Sequence, residues 1–262
     1  MKDKRVYKIV ITAIFIALCF VGTMIQIPLP SGGMIHLGNF FCILAALLCG
    51  GLIGGIAGGV GCGLYDLIIY SSVRGFFTYL VLKFIMGFFV GFLFRLIVNK
   101  DKKIKYNAAL YIIAAIIIIF TSLTIIGFNS NKINLSSSIK NKEMYIAIVC
   151  TVGYLFSAAL IALAIFSAKL KKQQKCVLFV CSLSVLINIF LEFVSKEILG
   201  LAIDRLNIDG ALLRGFSSLP ACILTGTITV AFISIIYPRL YNATKSINYL
   251  NDIDEEKLNN EE

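Results

Sequence analysis

Long uninterrupted apolar segments restrict the fold of this chain more than any other feature of its sequence. One of them, residues 106–127, contains no charged side chain. A helix needs roughly 20 residues to cross about 30 Å of hydrocarbon, and several segments reach that length. With 59% hydrophobic residues, 15% charged residues and a mean hydropathy of +0.91, the composition is far from that of a soluble domain. A β-barrel would need alternating segments of about 10 residues, so we expect an all-α membrane protein.

Polar breaks divide the chain into a polytopic bundle of about eight transmembrane helices. We expect one domain over residues 1–249 and a disordered acidic cytoplasmic tail over 250–262. The pair Gly50-Gly51 leaves two alternatives open, a tight turn between two short helices or a flexible point in one bent helix. The candidate helices span residues 6–27, 38–50, 51–70, 75–98, 106–127, 143–168, 176–202 and 217–240.

The distribution of lysine and arginine predicts the orientation. With the amino terminus inside, fourteen of these residues fall on the inner side and six on the outer side. Because cytoplasmic loops carry the positive excess, we expect a multi-pass protein of the cell membrane with both termini cytoplasmic. Anchoring at the lipid bilayer also explains the net charge of +10, so no nucleic-acid partner is expected. The inner residues are Lys2, Lys4, Arg5, Lys8, Lys100, Lys102, Lys103, Lys105, Lys169, Lys171, Lys172, Lys175, Arg239 and Lys245; the outer ones are Arg74, Lys132, Lys140, Lys142, Arg205 and Arg214.

Few ionisable side chains fall within the apolar segments. They are Asp66, Lys83, Glu192, Lys196 and Glu197. A charge near the bilayer centre costs about 2.5–3.5 kcal/mol on insertion scales, so such residues are functional candidates by default. At a rise of about 1.5 Å per residue, Asp66 lies about 6 Å, Lys83 about 12 Å and Glu192 about 15 Å below the outer ends of their helices.

The chain's one histidine, His36, and Asn39 precede the second helix at the same outer face. Together with the intramembrane charges they favour an outward-facing pocket for a small polar molecule. Two other interpretations stay open from the sequence. Asp66 and Lys83 form a salt bridge that only fixes helix packing, or His36 is a solvated loop residue. Lys196 is expected to extend outward to the membrane surface.

Motifs for catalysis are absent from the sequence. A single histidine cannot build the zinc pair of H-E-x-x-H, and neither GxSxG nor GxxxxGK[ST] occurs. The eight cysteines include no CxxC pair, and we interpret them as buried apolar residues rather than disulfides or metal ligands. We therefore expect no enzyme activity, no metal and no cofactor.

Ala13 and Ala17 place two small side chains four residues apart on the first helix. Such spacing lets another helix approach closely. Two interpretations are open, packing within the bundle or docking of a partner membrane subunit.

Five sequence stretches resemble the substrate-capture (S) components of energy-coupling factor (ECF) importers, most closely the riboflavin-type subgroup. They are the AxxxA of the first helix, "HLGN", "GLYDL", "FTYLVLKFIMGFFVGFL" and "SSLPACILTGTITVAFISIIYPRL". The resemblance covers residues 8–98 and about 185–240. It implies capture of a vitamin or vitamin precursor outside the cell, with a transmembrane T subunit and two cytoplasmic ATPases as partners.

The resemblance also implies roles for individual residues. Ala13 and Ala17 face the T subunit, the loop 28–38 forms a lid, and residues 100–170 are an extra two-helix hairpin on a six-helix core. The family tends to have Asn after the proline of the last helix, whereas Ala221 follows Pro220 here. The sequence does not name the vitamin, and it leaves open a membrane assembly protein without transport activity and a stand-alone secondary transporter. The implied pocket draws on His36, Asn39, Asp66, Tyr79, Lys83 and Glu192.

Overall fold

Helices make up nearly all of the architecture. The computed structural model describes residues 4–29, 33–99, 106–129, 142–166 and 172–243, and the expected tail at 250–262 lies outside these ranges. In chain order, the described residues form α1 (Lys4–Met24), β1 (Gln26–Pro28), β2 (Met34–His36), α2 (Gly38–Cys49), α3 (Gly51–Ile69), α4 (Val73–Asn99), α5 (Tyr106–Asn129), α6 (Lys142–Phe166), α7 (Lys172–Ala202) and α8 (Ile208–Ala243).

The first helix ends earlier than its apolar pattern predicts, because the chain turns into a short antiparallel hairpin. β1 and β2 pair with Gln26 opposite His36 and Pro28 opposite Met34. Proline cannot continue a helix interior, and it pushes the residue before it, Ile27, toward extended backbone. The segment 28–38, expected to be a loop, is therefore partly β-structure.

A sharp turn at Gly50 separates α2 from α3, so the two-helix alternative is correct. Gly50 has φ of 97°, a conformation that favours glycine. The turn also packs directly against α4: a Cβ at Gly51 would overlap the carbonyl of Phe88, and one at Gly91 would overlap the backbone of Gly51. Glycine at these positions lets two helices touch backbone to backbone.

Five of the described helices are long and apolar enough to cross a membrane. These spans are Arg5–Met24, Gly51–Ile69, Val73–Val98, Gln174–Ala202 and Ala221–Tyr241. α2 covers only about 18 Å at 1.5 Å per residue, and α5 and α6 hold the shorter apolar stretches Asn107–Leu123 and Gly153–Ala162. The protein is thus an all-α multi-pass membrane protein, as the sequence predicts.

The helices pack as a core with a peripheral pair. α3 packs against α1, α2 and α4; α7 packs against α4 and α8; and α8 also contacts α2. α5 and α6 pack mainly on each other and reach the rest of the bundle through α7 and α8. This arrangement has the form of six core helices with an added pair of helices, α5 and α6.

Candidate binding cavity

Five helices and the β-hairpin surround a cavity of about 270 Å³. α2, α4 and α8 contribute residues from their amino-terminal halves, whereas α3 and α7 contribute residues near their carboxyl ends. Helices that follow one another in the chain therefore run in opposite directions, as they must when a chain crosses a membrane repeatedly. The cavity lies at one end of the bundle.

Most residues selected from the sequence meet at this cavity. Five of the six line it, namely His36, Asn39, Asp66, Tyr79 and Glu192. Their side chains come from β2, α2, α3, α4 and α7 in that order. The convergence expected from helix depth is therefore present, while a role in binding stays a prediction.

Lys83, the sixth, does not line the cavity. It is fully buried on α4 and donates to Glu192 Oε1 at 2.7 Å and to Asn188 Oδ1 at 2.9 Å. The sequence-based alternative of an Asp66–Lys83 salt bridge is wrong, because Lys83 pairs with α7 instead. Within the described part of the chain, Asp66 makes no side-chain hydrogen bond or ion pair.

Glu192 is held by donors from three helices. Besides Lys83, Asn188 Nδ2 donates to its Oε1 at 3.2 Å, and the Cys222 thiol donates to its Oε2 at 3.0 Å. The Lys83 ammonium also lies 5.5 Å from the centre of the Tyr79 ring, a cation–π distance. A buried ion pair is tolerable when further hydrogen bonds satisfy both partners, and this network supplies them. It therefore fixes one carboxylate at the cavity wall.

His36 is buried, so the interpretation of His36 as a solvated loop residue is wrong. The hairpin, outside the apolar helices, holds the imidazole in place, and His36 Nδ1 accepts a hydrogen bond from the Gly38 amide at 3.1 Å. The neutral ring then carries its proton on Nε2. Burial, reinforced by the charge of Lys83, lowers the pKa of His36 from 6.5 to about 4.

One face of α8 forms a wall that the sequence analysis missed. Ser218, Ala221, Cys222 and Thr225 line the cavity. Their spacing of three, one and three residues is that of a single helical face, so this signal was available in "SSLPACILTGT". Intramembrane charge, the criterion used, cannot detect hydroxyls and thiols.

Two further cavity residues follow from tertiary structure. Gln26 of β1 donates from Nε2 to the Tyr70 hydroxyl at 3.1 Å, which ties the hairpin to the end of α3. Lys196, already identified from the sequence as an intramembrane charge, also lines the cavity and is half-buried, while its outward extension stays a prediction. Hairpin pairing is not visible in apolar periodicity, so the contact of Gln26 with Tyr70 has no sequence signal.

The hairpin also contacts α8 directly. A Cβ placed on Gly33 would meet the Cβ of Ala221, so these two residues are in close contact. The small side chain of Ala221, the position where the related pattern tends to have Asn, leaves room for this contact. A longer side chain there would push against the hairpin.

Three polar oxygens of the cavity residues lack a partner among the described residues. Gln26 Oε1, Asn39 Oδ1 and Thr225 Oγ1 are buried and form no hydrogen bond with the described residues. Buried polar atoms without a partner are rare in folded proteins and call for a specific explanation. A polar solute in the cavity would provide one.

Ala13 and Ala17 lie on the exposed side of α1. Large apolar side chains surround them, with Val10, Ile14 and Leu18 36–50% exposed. Packing inside the described bundle is therefore excluded for this pair. The surface contacts lipid or a partner.

Apolar spanning helices around a polar cavity of small-molecule size define the class of the protein as a multi-pass membrane protein with an internal polar cavity. The family model of the S component of ECF-type riboflavin transporters matches residues 3–172, well over half of the chain. The chain belongs to this family, and the sequence-based resemblance is confirmed. It is a family of vitamin-uptake subunits and not of enzymes.

The matched residues include α1 to α6 and end at the start of α7. The part of the resemblance at 185–240, which carries Glu192 and the α8 wall, lies beyond them. No curated protein and no solved structure matches the chain significantly.

Proposed function

We propose that this chain is the substrate-capture subunit of an ECF importer and binds a vitamin or vitamin precursor in the cavity beneath the hairpin. The observation that carries the proposal is the cavity itself, in which residues from five helices and the hairpin meet around polar groups. His36, Asn39, Asp66, Tyr79 and Glu192 form its binding wall, and Lys83 holds Glu192 in position from below.

The wall indicates the chemistry of the ligand. It combines two carboxylates, of which Glu192 is neutralised by Lys83, with the ammonium of Lys196 and the rings of Tyr70 and Tyr79. Aromatic rings bind flat ring systems, and the polar groups accept or donate several hydrogen bonds. The cavity of about 270 Å³ lies just below the range of about 300–1,000 Å³ that is usual for ligand pockets, which favours a compact compound. Riboflavin, named by the family, is the first candidate.

The hairpin is suited to act as a lid. Residues of both strands line the cavity, and two side-chain hydrogen bonds join the hairpin to the helix ends, Gln26 Nε2 to the Tyr70 hydroxyl and the Gly38 amide to His36 Nδ1. Each neutral hydrogen bond contributes only about 0.5–1.5 kcal/mol net. Opening the hairpin would therefore break few polar contacts, together with the packing of Gly33 on Ala221 and the burial of His36. The ligand would enter from outside the cell, because the excess of lysine and arginine assigns the opposite end to the cytoplasm.

Import requires partners that supply energy. The chain has no nucleotide-binding motif, so transport would depend on a T subunit and two cytoplasmic ATPases, as the family implies. The exposed surface around Ala13 and Ala17 is the proposed contact with the T subunit. A close helix approach there would bury apolar side chains that otherwise face lipid.

The test is direct binding to the purified full-length chain. Small molecules that co-purify are identified by mass spectrometry, and riboflavin, pyridoxine, thiamine precursors, biotin, pantothenate and folate are then compared by thermal shift and equilibrium dialysis without ATP. We expect one of them to bind tightly. If none binds and none co-purifies, capture of a vitamin is contradicted.

A stand-alone secondary transporter makes a different prediction. Proteoliposomes containing only this chain would then accumulate the compound when an ion gradient is imposed across their membrane, because the ion flux would drive uptake. We expect accumulation only when the T subunit and ATPases are also present with ATP. Uptake by the chain alone would contradict the proposed dependence of transport on the T subunit and the ATPases.

A further inference from the structure

A second groove lies at the end of the bundle opposite the cavity. It has a volume of about 370 Å³ and is lined by the α2–α3 turn, by the last turns of α4 and by Lys8 of α1. Arg95 is 16 residues beyond Tyr79 on α4, which places it about 24 Å from the cavity at 1.5 Å per residue. The groove therefore lies at the other membrane surface.

The polar part of this groove is positively charged. Lys8 and Arg95 both line it, both are exposed, and none of the described residues that line it is acidic. The amide groups of the first turn of α3 lie at the same place and add partial positive charge, since the first intrahelical bond there runs from Gly54 to Gly50. An anionic group complements this end of the groove.

The remaining wall is apolar and faces the membrane. Leu52 is 59% exposed, and the rings of Phe88 and Phe92 stack nearly parallel with an interplanar angle of 8°. Both rings are about half exposed, and together they form a flat surface along α4. A free inorganic anion has nothing to bury on such a surface, whereas an acyl chain does.

We propose that this groove binds an anionic phospholipid, with the phosphate between Lys8 and Arg95 and an acyl chain along Leu52, Phe88 and Phe92. Basic pockets between helices at a membrane surface bind lipid head groups in this way. Arginine adds a planar fork that matches phosphate oxygens. The inference is independent of the vitamin cavity, because no residue lines both.

The experiment compares retained lipid by native mass spectrometry. The full-length chain is extracted in mild detergent, equilibrated with phosphatidylglycerol or phosphatidylcholine, and compared with the double variant K8Q/R95Q. We expect the wild type to retain phosphatidylglycerol selectively and the variant to retain about thirtyfold less, since each of the two basic residues contributes about 1 kcal/mol near a lipid surface. Phosphatidylcholine retention should be low for both.

Two further variants make the result specific. R5Q/R239Q removes the same charge from exposed positions outside the groove at the same end of the bundle and should behave like wild type. K8R/R95K preserves charge and should retain the lipid, which separates loss of binding from loss of fold.

Several outcomes would overturn the proposal. Phosphatidylglycerol retention by K8Q/R95Q equal to that of wild type would show that the groove does not hold the head group, as would an equal loss in R5Q/R239Q. Equal retention of the two lipids would remove the charge argument. Stabilisation of wild type by inorganic phosphate alone, to the same thermal midpoint as by the lipid, would make the groove an anion site without an acyl chain.

Discussion

Lys83 Nζ and Glu192 Oε1 lie 2.7 Å apart, although the two residues are 109 positions apart in the chain. The pair joins α4 to α7 at the base of the cavity, and Cys222 extends the connection to α8. Glu192 reaches the cavity wall whereas Lys83 does not. The ammonium therefore acts through the carboxylate, and its removal affects the cavity indirectly.

Replacing Lys83 by methionine should strongly destabilise the protein. Breaking a buried pair by removing one partner costs about 3–5 kcal/mol, because an uncompensated charge stays buried. The measurement is unfolding in detergent by SDS titration or heat. The double variant K83M/E192M, which removes both charges, should recover most of the loss. If the double variant is as unstable as the sum of the singles, the two residues are not coupled as the geometry requires.

Asp66→Asn should weaken ligand binding and leave stability nearly unchanged. Asp66 lines the cavity and makes no side-chain hydrogen bond or ion pair with the described residues, so folding does not depend on its charge. Loss of a hydrogen bond to a charged group costs about 1.5–3 kcal/mol, equivalent to at least tenfold in affinity. Equilibrium dialysis with the co-purified compound measures it. Glu143→Gln, at an exposed position on α6, is the matched control and should bind normally.

Charge and helix depth predicted the cavity because both depend on local sequence. A lysine or carboxylate in an apolar helix needs compensation, so Asp66, Lys83 and Glu192 were identifiable, and depth assigned them to one end. Which of them pair was not predictable. Depth fixes height in the membrane but not the rotation of each helix, and α4 presents Lys83 to α7 rather than to α3. The hydroxyl and thiol face of α8 was missed for a different reason, because intramembrane charge does not mark such side chains.

The hairpin had no signal in hydropathy. Its strands have three residues each, and apolar residues on both sides of Pro28 extend the pattern of α1 beyond the true helix end at Met24. Burial of His36 depends on that hairpin, so the sequence alone could not decide between a pocket residue and the alternative of a solvated loop residue. The glycine turn at residue 50 was recognisable, but its geometry depends on contact with α4.

Acidification should destabilise the protein through His36. Its pKa is about 4 in the folded protein against 6.5 for an unperturbed histidine, so the unfolded state binds more protons between these values. Stability is therefore lost as the pH falls through this window, by about 2 kcal/mol at pH 5. His36→Asn keeps an acceptor for the Gly38 amide and cannot titrate. Thermal midpoints at pH 7.5 and pH 5 should differ less for this variant than for wild type. An equal difference would show that His36 does not cause the loss.

Gly87→Ala should separate α3 from α4. A Cβ at Gly87 would lie 2.6 Å from the carbonyl carbon of Gly54 and 2.7 Å from the amide nitrogen of Gly55, and neither backbone atom can move alone. We expect a loss of about 1–3 kcal/mol from overpacking, which exceeds the helix-propensity gain of alanine. Gly200→Ala on α7 is the control, since its nearest neighbours are 3.3 Å away. If both variants unfold at the wild-type denaturant concentration, close packing of α3 on α4 is not required.

Enlarging Ala13 and Ala17 should separate assembly from ligand binding. In A13L/A17L the added side chains project from the exposed side of α1, so the bundle and the cavity should be unaffected. A partner helix that needs small residues for close approach would be held away, and recovery of the T subunit and ATPases on co-purification should fall about tenfold. The matched control A158L/A159L enlarges two exposed alanines on α6 and should assemble normally. If A13L/A17L assembles fully, this face of α1 contacts lipid, and the T subunit must dock elsewhere. If A158L/A159L loses assembly instead, the peripheral helix pair α5 and α6 is part of the contact with the T subunit.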